Sequence, residues 1–335
     1  LNNRDTSWLC EGPSPEAVEF HRGLPGYAPT DLVDLPDIAR ELGVGQVLAK
    51  NEAGRLGLPA FKALGASWAI HSALKQESTA GPFVIVTATD GNHGRAVAKF
   101  AKMFGHTAKI VIPPGVHPSA VQAIVDEGAE VSRTEGTYDD AVAQAARIAE
   151  QPGHILVQDT AWEGYEIVPG WIVEGYATMF SEIDDQIAER GLGNADLVVV
   201  PAGVGSLLQG ALAHYRSNED LLATKVISVE PTTAACVVAS IESGTPSSVP
   251  TTTTVMAGLN CGTISSLAWP YVDNGLDGAV AVTDEQDIQA ARDMAKLGLA
   301  AGPCGAAGLA AMRELLTGPF AQARREALGL TKEST

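Results

Sequence analysis

Residues 83–98 read FVIVTATDGNHGRAVA, and the fold follows from how this stretch is read. Phe83, Val84, Ile85 and Val86 are aromatic or β-branched, which suits a strand buried on both faces. Ala96, Val97 and Ala98 carry on as a helix would. Between them sit Asp90, Gly91, Asn92, His93 and Gly94, where a strand hands over to a helix. Backbone N–H groups at a helix start attract anions, so a carboxylate at that mouth needs a reason. One is local: Asp is a preferred N-cap, and Asp90 would bond the N–H groups that follow it.

The same alternation runs outward in both directions. Further short apolar runs lie at 45–52, 108–113, 129–134, 154–159, 196–202 and 225–231. Helical stretches lie between them at 61–76, 94–105, 118–128 and 137–151, with a long one at 174–190. The alternation predicts βαβ units with right-handed crossovers, and hence α/β architecture with doubly wound, mostly parallel sheets. The Gly-, Pro- and Trp-bearing stretch WEGYEIVPGW (162–171) reads as a hinge. SGTPSSVPTTTT (243–254) reads as a polar surface loop.

Such sheets bind ligands at the carboxyl ends of their strands. Three of these junctions are rich in Gly: TDGNHG (89–94), PAGVGS (201–206) and AGPCG (301–305). Polar residues at all three suggest one ligand held from several sides.

Composition narrows the ligand. The 335-residue chain is 45% hydrophobic and 19% charged, which is ordinary for a globular protein. Its 22 Lys and Arg against 40 Asp and Glu leave a net charge of −18. That argues against nucleic acid or an anionic membrane as partner, since both need clustered basic side chains. No apolar run reaches the ~18 residues of a membrane-spanning helix. The opening LNNRDTSWLC has no basic-then-apolar leader pattern. The cysteines, Cys10, Cys236, Cys261 and Cys304, form no CxxC, zinc spacing or disulfide framework. Reduced thiols in a cytoplasmic protein are therefore expected, and Cys236 and Cys261 would pair only if their loops converge. The seven histidines show no metal-ligand spacing, so no metal site is expected; His93 reads as a residue that orders its turn.

DLVVVPAGVGSLLQG (196–210) is a strand, a Gly-rich turn and a helix start. Gly203, Gly205 and Gly210, with Glu230 further on, invite a dinucleotide reading and a nicotinamide-dependent oxidoreductase. The spacing GxGxxxxG departs from that fingerprint. Its firmer content is a set of backbone N–H groups able to close around a phosphate, with the Ser206 hydroxyl beside them. The loop lacks the Lys of a Walker motif.

A lysine stands elsewhere. In KNEAGRLGLPAFKALGASWAI (50–70), Lys62 follows Phe61 at the start of a helix of small and apolar residues. Its stem could pack while the ammonium reaches water. A neutral amine there could instead condense with an aldehyde, and pyridoxal phosphate is an aldehyde that carries a phosphate.

Taken together, Lys50-x-Glu52, AFKALGASWAI, TDGNHGRAVA, VQDTAWEGYEIVPGWIVEGYATM, PAGVGSLLQG, VEPTTAAC and MAGLNCG resemble the tryptophan-synthase-type (fold type II) pyridoxal-phosphate enzymes. Among these the diaminopropionate ammonia-lyases are the nearest in kind. The resemblance spans residues 50–308. It implies two α/β/α domains with pyridoxal 5'-phosphate in the cleft between them: a large one from 1–74 plus 170–335 and a smaller, mobile one from 75–169. It implies that Lys62 binds the cofactor aldehyde and that Asn92 bonds the ring hydroxyl. Gly203, Val204, Gly205, Ser206 and Leu207 would cradle the phosphate, and Cys304 would meet the pyridine nitrogen.

The resemblance also gives Asp90 a second reason. Dehydratases of this fold carry Ser at that position, in S-G-N-H-G, for the substrate carboxylate. An Asp there would repel a carboxylate and attract an ammonium. With Asp159, which ends another strand, it would serve a diamine substrate. The implied reaction is elimination of ammonia from 2,3-diaminopropionate to give pyruvate, with Asp90 acting on the D form and Asp159 on the L form. A serine or threonine dehydratase is the alternative. A homodimer acting on a small amino acid completes the expectation.

Overall fold

The computed structural model describes residues 1–2, 4–79, 81–89 and 91–335. Asp90 lies outside the described residues. Contacts within the chain divide it into two compact units. One comprises Leu1–Ser14, Pro29–Ala53 and Met179–Thr335; the other comprises Pro15–Ala28 and Gly54–Thr178. The segment 75–169, read from the sequence as the smaller domain, falls wholly inside the second unit. The helix Lys62–Gln76 joins it there because it packs against the helices Asn92–Met103 and Ile167–Gly175.

In the first unit β1 (Leu32–Asp34) and β2 (Leu48–Lys50) form an antiparallel ribbon. The second unit holds β3 (Val84–Ala88), β4 (Thr107–Ile112), β5 (Glu130–Arg133) and β6 (His154–Leu156), all parallel, in the order β5-β4-β3-β6. Back in the first unit, β7 (Leu197–Pro201), β8 (Lys225–Pro231) and β9 (Gly278–Val282) run parallel in sequence order. The expected parallel α/β architecture is therefore present. The sequence reading had no place for β1 and β9. β1 is three residues long, and β9, GAVAV, is a run of mostly small residues.

Register explains why these runs are apolar throughout. Val84 pairs with Thr107 on one side and with His154 on the other, so β3 is an interior strand of its sheet. Ile85, Val86 and Ala88 have no accessible surface. Val86, Ala88 and Val111 form one core with Ala141 and Ala145 of the helix Tyr138–Ala149. In the first unit Ile227, Val229, Val280 and Val282 pack under Leu309 and Leu315 of the helix Pro303–Leu316.

Two glycines set a close helix crossing in the second unit. A Cβ on Gly175 would lie 2.6 Å from the Leu64 carbonyl oxygen and 2.9 Å from the Gly65 Cα. A Cβ on Gly65 would lie 2.7 Å from Tyr176. Only a side chain of one hydrogen fits on either side, so the helix that begins with Lys62 runs backbone to backbone against Ile167–Gly175. The long helix expected at 174–190 is two pieces, Ile167–Gly175 and Ala177–Glu189. The first begins inside the stretch read as a hinge. Pro169 is its third residue, where a missing N–H costs no intrahelical bond.

Candidate active site

The order β5-β4-β3-β6 puts the carboxyl ends of β3 and β6 side by side, at the point where the strand order reverses. After β3 comes the TDGNHG turn. Thr89 Oγ1 accepts hydrogen bonds from the N–H groups of Gly91, 3.0 Å, and Gly94, 3.3 Å, at the start of the helix Asn92–Met103. Gly94 is obligatory, because a Cβ there would lie 2.1 Å from Thr89 Cγ2. Asn92 is exposed at that helix start. After β6 comes Gln158-Asp159.

Lys62 opens its helix, and its Nζ donates to Asp159 Oδ2 at 2.8 Å. The two side chains retain 23% and 13% of their accessible surface, so each is largely but not wholly closed off from water. Burial acts to push the Lys62 ammonium down. The negative charge of Asp159, with Tyr176 and Tyr138 nearby, outweighs burial and holds the amine above its ordinary range. Burial alone would raise the Asp159 carboxyl; the positive charge of Lys62 overrides it and holds the acid well below the usual carboxylate range.

His93 stands behind this pair. Its Nε2 donates to the Val157 carbonyl at 2.8 Å, which leaves Nδ1 as the acceptor nitrogen. That Nδ1 is buried, has no hydrogen-bond partner among the described residues, and lies 3.9 Å from Asp159 Oδ2. Burial pushes the imidazole pKa down, so the ring is neutral near pH 7. His93 orders its turn, as expected, and also faces the acid. Tyr176 packs edge-on against Phe61, with ring centroids 5.0 Å apart, and burial pushes its hydroxyl up to about 12 despite the charge of Lys62.

Several neighbours of Asp159 escaped the sequence reading. Gln158 Nε2 donates to Asp159 Oδ1 at 3.3 Å and to the Tyr138 hydroxyl at 3.1 Å. Gln158 Oε1 accepts from the Ala88 N–H and from Thr87 Oγ1, each at 2.9 Å. Buried Gln158 thus stitches the end of β6 to the end of β3. The only signal in the sequence was its place beside Asp159.

In the first unit the phosphate-loop candidates lie between β7 and the helix Ser206–Tyr215. Gly205 sits before that helix at φ +97°, a conformation that favours glycine, and no side chain caps the helix start. The first turn of a helix leaves N–H groups without intrahelical partners. A Cβ on Gly203 would lie 2.9 Å from the Gly258 carbonyl oxygen and 3.1 Å from Cys261 Sγ; one on Gly205 would lie 2.9 Å from the Ala268 Cβ. The Val204 carbonyl is already held by the Ser265 N–H at 2.8 Å. Backbone donors in a groove too close for side chains make a cradle suited to a phosphate. Gly258, in MAGLNCG, also lies against Cys304: a Cβ there would lie 3.3 Å from Cys304 Sγ. The structure therefore brings Gly203 and Cys304 to opposite sides of one short loop.

Glu230 does not stand ready for a ribose. It is fully buried, and its two oxygens accept from the N–H groups of Val237, 2.8 Å, and Val238, 3.0 Å. Its carboxylate caps the start of the helix Cys236–Ser243, which removes the support for a nicotinamide reading. The loops of Cys236 and Cys261 do converge on Gly203, with Cys236 Sγ 3.9 Å from the Gly203 carbonyl oxygen. Among the described residues none of the four cysteines is joined in a disulfide. Among the described residues, no group of three or more His, Cys, Asp or Glu is placed to hold a metal ion, and no helix is long and apolar enough to cross a membrane.

Residues 24–325 match the model of a family described as pyridoxal-phosphate dependent enzyme. The chain is 35% identical to the diaminopropionate ammonia-lyase of Escherichia coli strain K12, over all of this chain and 89% of that relative. It is 29% identical to the serine racemase of Arabidopsis thaliana, over 76% of this chain and 71% of that one. Among solved structures it is similar to E. coli diaminopropionate ammonia lyase in complex with an aminoacrylate-PLP azomethine reaction intermediate. The TM-score is 0.88 and the identity 34%, with 99% of this chain and 90% of that chain covered.

Proposed function

We propose that this chain, which belongs to the pyridoxal-phosphate-dependent enzyme family, eliminates ammonia from 2,3-diaminopropionate, the remaining enamine being hydrolysed by one water to pyruvate and a second ammonia. The observation that carries the reading is the Asp159 carboxylate bonded to the Lys62 amine at the carboxyl end of β6. An acid held ionised beside the cofactor lysine is a base with a nearby proton carrier. The full-length likeness to enzymes named for this reaction supports it, as does Asp90 where dehydratases carry Ser.

The residues present fit the cofactor. The loop 203–207 offers a cradle of backbone N–H groups that side chains would fill, and Lys62 offers a buried amine. Lys62 would hold the aldehyde, residues Gly203 to Leu207 would hold the phosphate, Asn92 would meet the ring hydroxyl and Cys304 the ring nitrogen. When bound, pyridoxal phosphate supplies an electron sink for the carbanion at the substrate α-carbon.

Everything else falls to side chains of this chain. Asp159 Oδ2 takes the α-proton of the L substrate, and Asp90 takes that of the D substrate. Lys62 Nζ moves protons toward the β-amine, which must leave as neutral ammonia after carrying a proton. Two carboxylates also balance the second ammonium of a diamine, which a dehydratase site with Ser would not do.

The same reading has the enzyme work in the cytoplasm as a homodimer in amino-acid catabolism. Four cysteines outside any disulfide suit a reducing compartment.

The test is pyruvate release from D- and L-2,3-diaminopropionate beside L-serine and L-threonine. Asp90→Asn is expected to remove most turnover of the D form and Asp159→Asn most turnover of the L form. Faster turnover of serine or threonine than of either diamine would instead make the chain a dehydratase.

A further inference from the structure

We propose that Tyr165 is the residue that positions Asp159, and that its hydroxyl sets how well the enzyme turns over the L substrate. The proposal rests on the assignment of Asp159 to the L form.

β6 ends at Leu156, and the chain must then stop abruptly enough to leave Asp159 at the site. Tyr165 performs that stop. Its O–H donates to the Leu156 carbonyl at 3.0 Å and accepts the Gln158 N–H at 2.8 Å, one phenol oxygen bridging the residues on either side of Val157. Val157 is fixed in turn, its N–H on the Val86 carbonyl at 2.8 Å and its own carbonyl on His93 Nε2. Three consecutive residues before Asp159 are thereby held.

The phenol is itself held. Trp162 and Tyr165 stack with centroids 4.3 Å apart and planes 21° from parallel, and their backbones exchange hydrogen bonds of 3.4 and 2.8 Å. Gly164, at φ +85°, makes the tight turn between them. The motif AWEGY is thus a small hairpin whose base is clamped back onto the strand it left. Gln158, whose backbone the phenol holds, then sends its side chain to Asp159 Oδ1. Tyr165 touches no reacting atom; it acts on Asp159 through the backbone at 158.

General bases tolerate little misplacement: an error of 1 Å can cost about a hundredfold in rate. Among the described residues the Tyr165 hydroxyl bonds only the backbone of Leu156 and Gln158, on the side of Asp159. Asp90 follows the β3 run in the sequence, so the D branch is expected to depend on this hydroxyl far less. Tyr165→Phe keeps the ring and its stack and removes one oxygen. Its kcat/KM on L-2,3-diaminopropionate is expected to fall about tenfold or more, while that on the D form stays within about twofold. Released from its fixed place, the Asp159 carboxyl moves toward the usual carboxylate range. The acidic limb of the L-form profile should therefore shift to higher pH and the D-form limb stay.

Retained D turnover shows in the same tube that the variant is folded and carries its cofactor. Equal losses on both enantiomers, or no loss on either, overturn the proposal. Asp159→Asn run alongside separates the two layers. If it leaves L turnover intact, the assignment of Asp159 fails; if it abolishes L turnover while Tyr165→Phe leaves it unchanged, only the clasp fails.

Discussion

Lys62 and Asp159 form an ion pair of 2.8 Å, with each partner shifting the other toward its charged form. Charge on the amine is the opposite of what capture of an aldehyde requires, since only the neutral amine is nucleophilic. The pair therefore stores the lysine in its unreactive form until a proton is removed.

Removing the acid should release it. In cofactor-stripped Asp159→Asn, burial acts on Lys62 without its main counter-charge and lowers its pKa. Each unit of that fall makes neutral amine tenfold more abundant at a given pH, so capture of pyridoxal phosphate at pH 7 should be about tenfold faster or more. Stopped-flow absorbance measures this. Slower capture than in the parent protein would show that Asp159 assists the lysine instead of restraining it.

Replacing the lysine should remove the chromophore's anchor altogether. Lys62→Ala is expected to lose roughly a thousandfold or more of its turnover. Borohydride treatment followed by mass spectrometry should leave the variant's mass unchanged, where the parent protein gains the reduced cofactor on the peptide that carries residue 62.

The phosphate cradle is expected to fail by crowding. Gly205→Ala puts a Cβ 2.9 Å from the Ala268 Cβ at φ +97°. A left-handed conformation costs a non-glycine residue roughly 1–2 kcal/mol even without the clash. Cofactor affinity should fall at least about tenfold, read by fluorescence titration, while far-ultraviolet circular dichroism stays unchanged. Undiminished affinity would mean that the phosphate is held elsewhere.

Glu230 should make stability depend on pH. Burial pushes its carboxyl up to about 7 from an ordinary value of 4.5, although the Val237 and Val238 N–H groups oppose this. The folded state therefore holds a proton that the unfolded chain has lost between those values, and folding weakens as pH rises through that window. The loss is on the order of 3 kcal/mol from this residue. Urea titrations at pH 5 and pH 8 should show a smaller drop for Glu230→Gln than for the parent chain; equal drops would contradict the assignment.

Asp90, Asp159 and Lys62 stand out in the sequence as candidates because each lies at the end of a run there. Two follow strand-like runs and the third opens a helical one, and strand ends are where sheets of this class bind ligands. Periodicity found seven of the strands for the same reason: a strand buried on both faces is apolar at every position. It had no purchase on β1, which is only three residues long, or on β9, whose small residues carry little hydrophobic signal. Nor did it see the helix break at Tyr176.

By itself, then, the amino-acid order determined the parallel α/β class, and it put forward Lys62, the Gly-rich loop 203–207 and Asp159 as candidates. Each of those is written in a short local pattern. Only tertiary structure decided that Asp159 faces Lys62, that Glu230 caps a helix, and that Gly258 lies between Gly203 and Cys304. Those relationships join residues up to about a hundred positions apart, and distance in space between such residues is set by strand order and helix crossing, which no local pattern encodes.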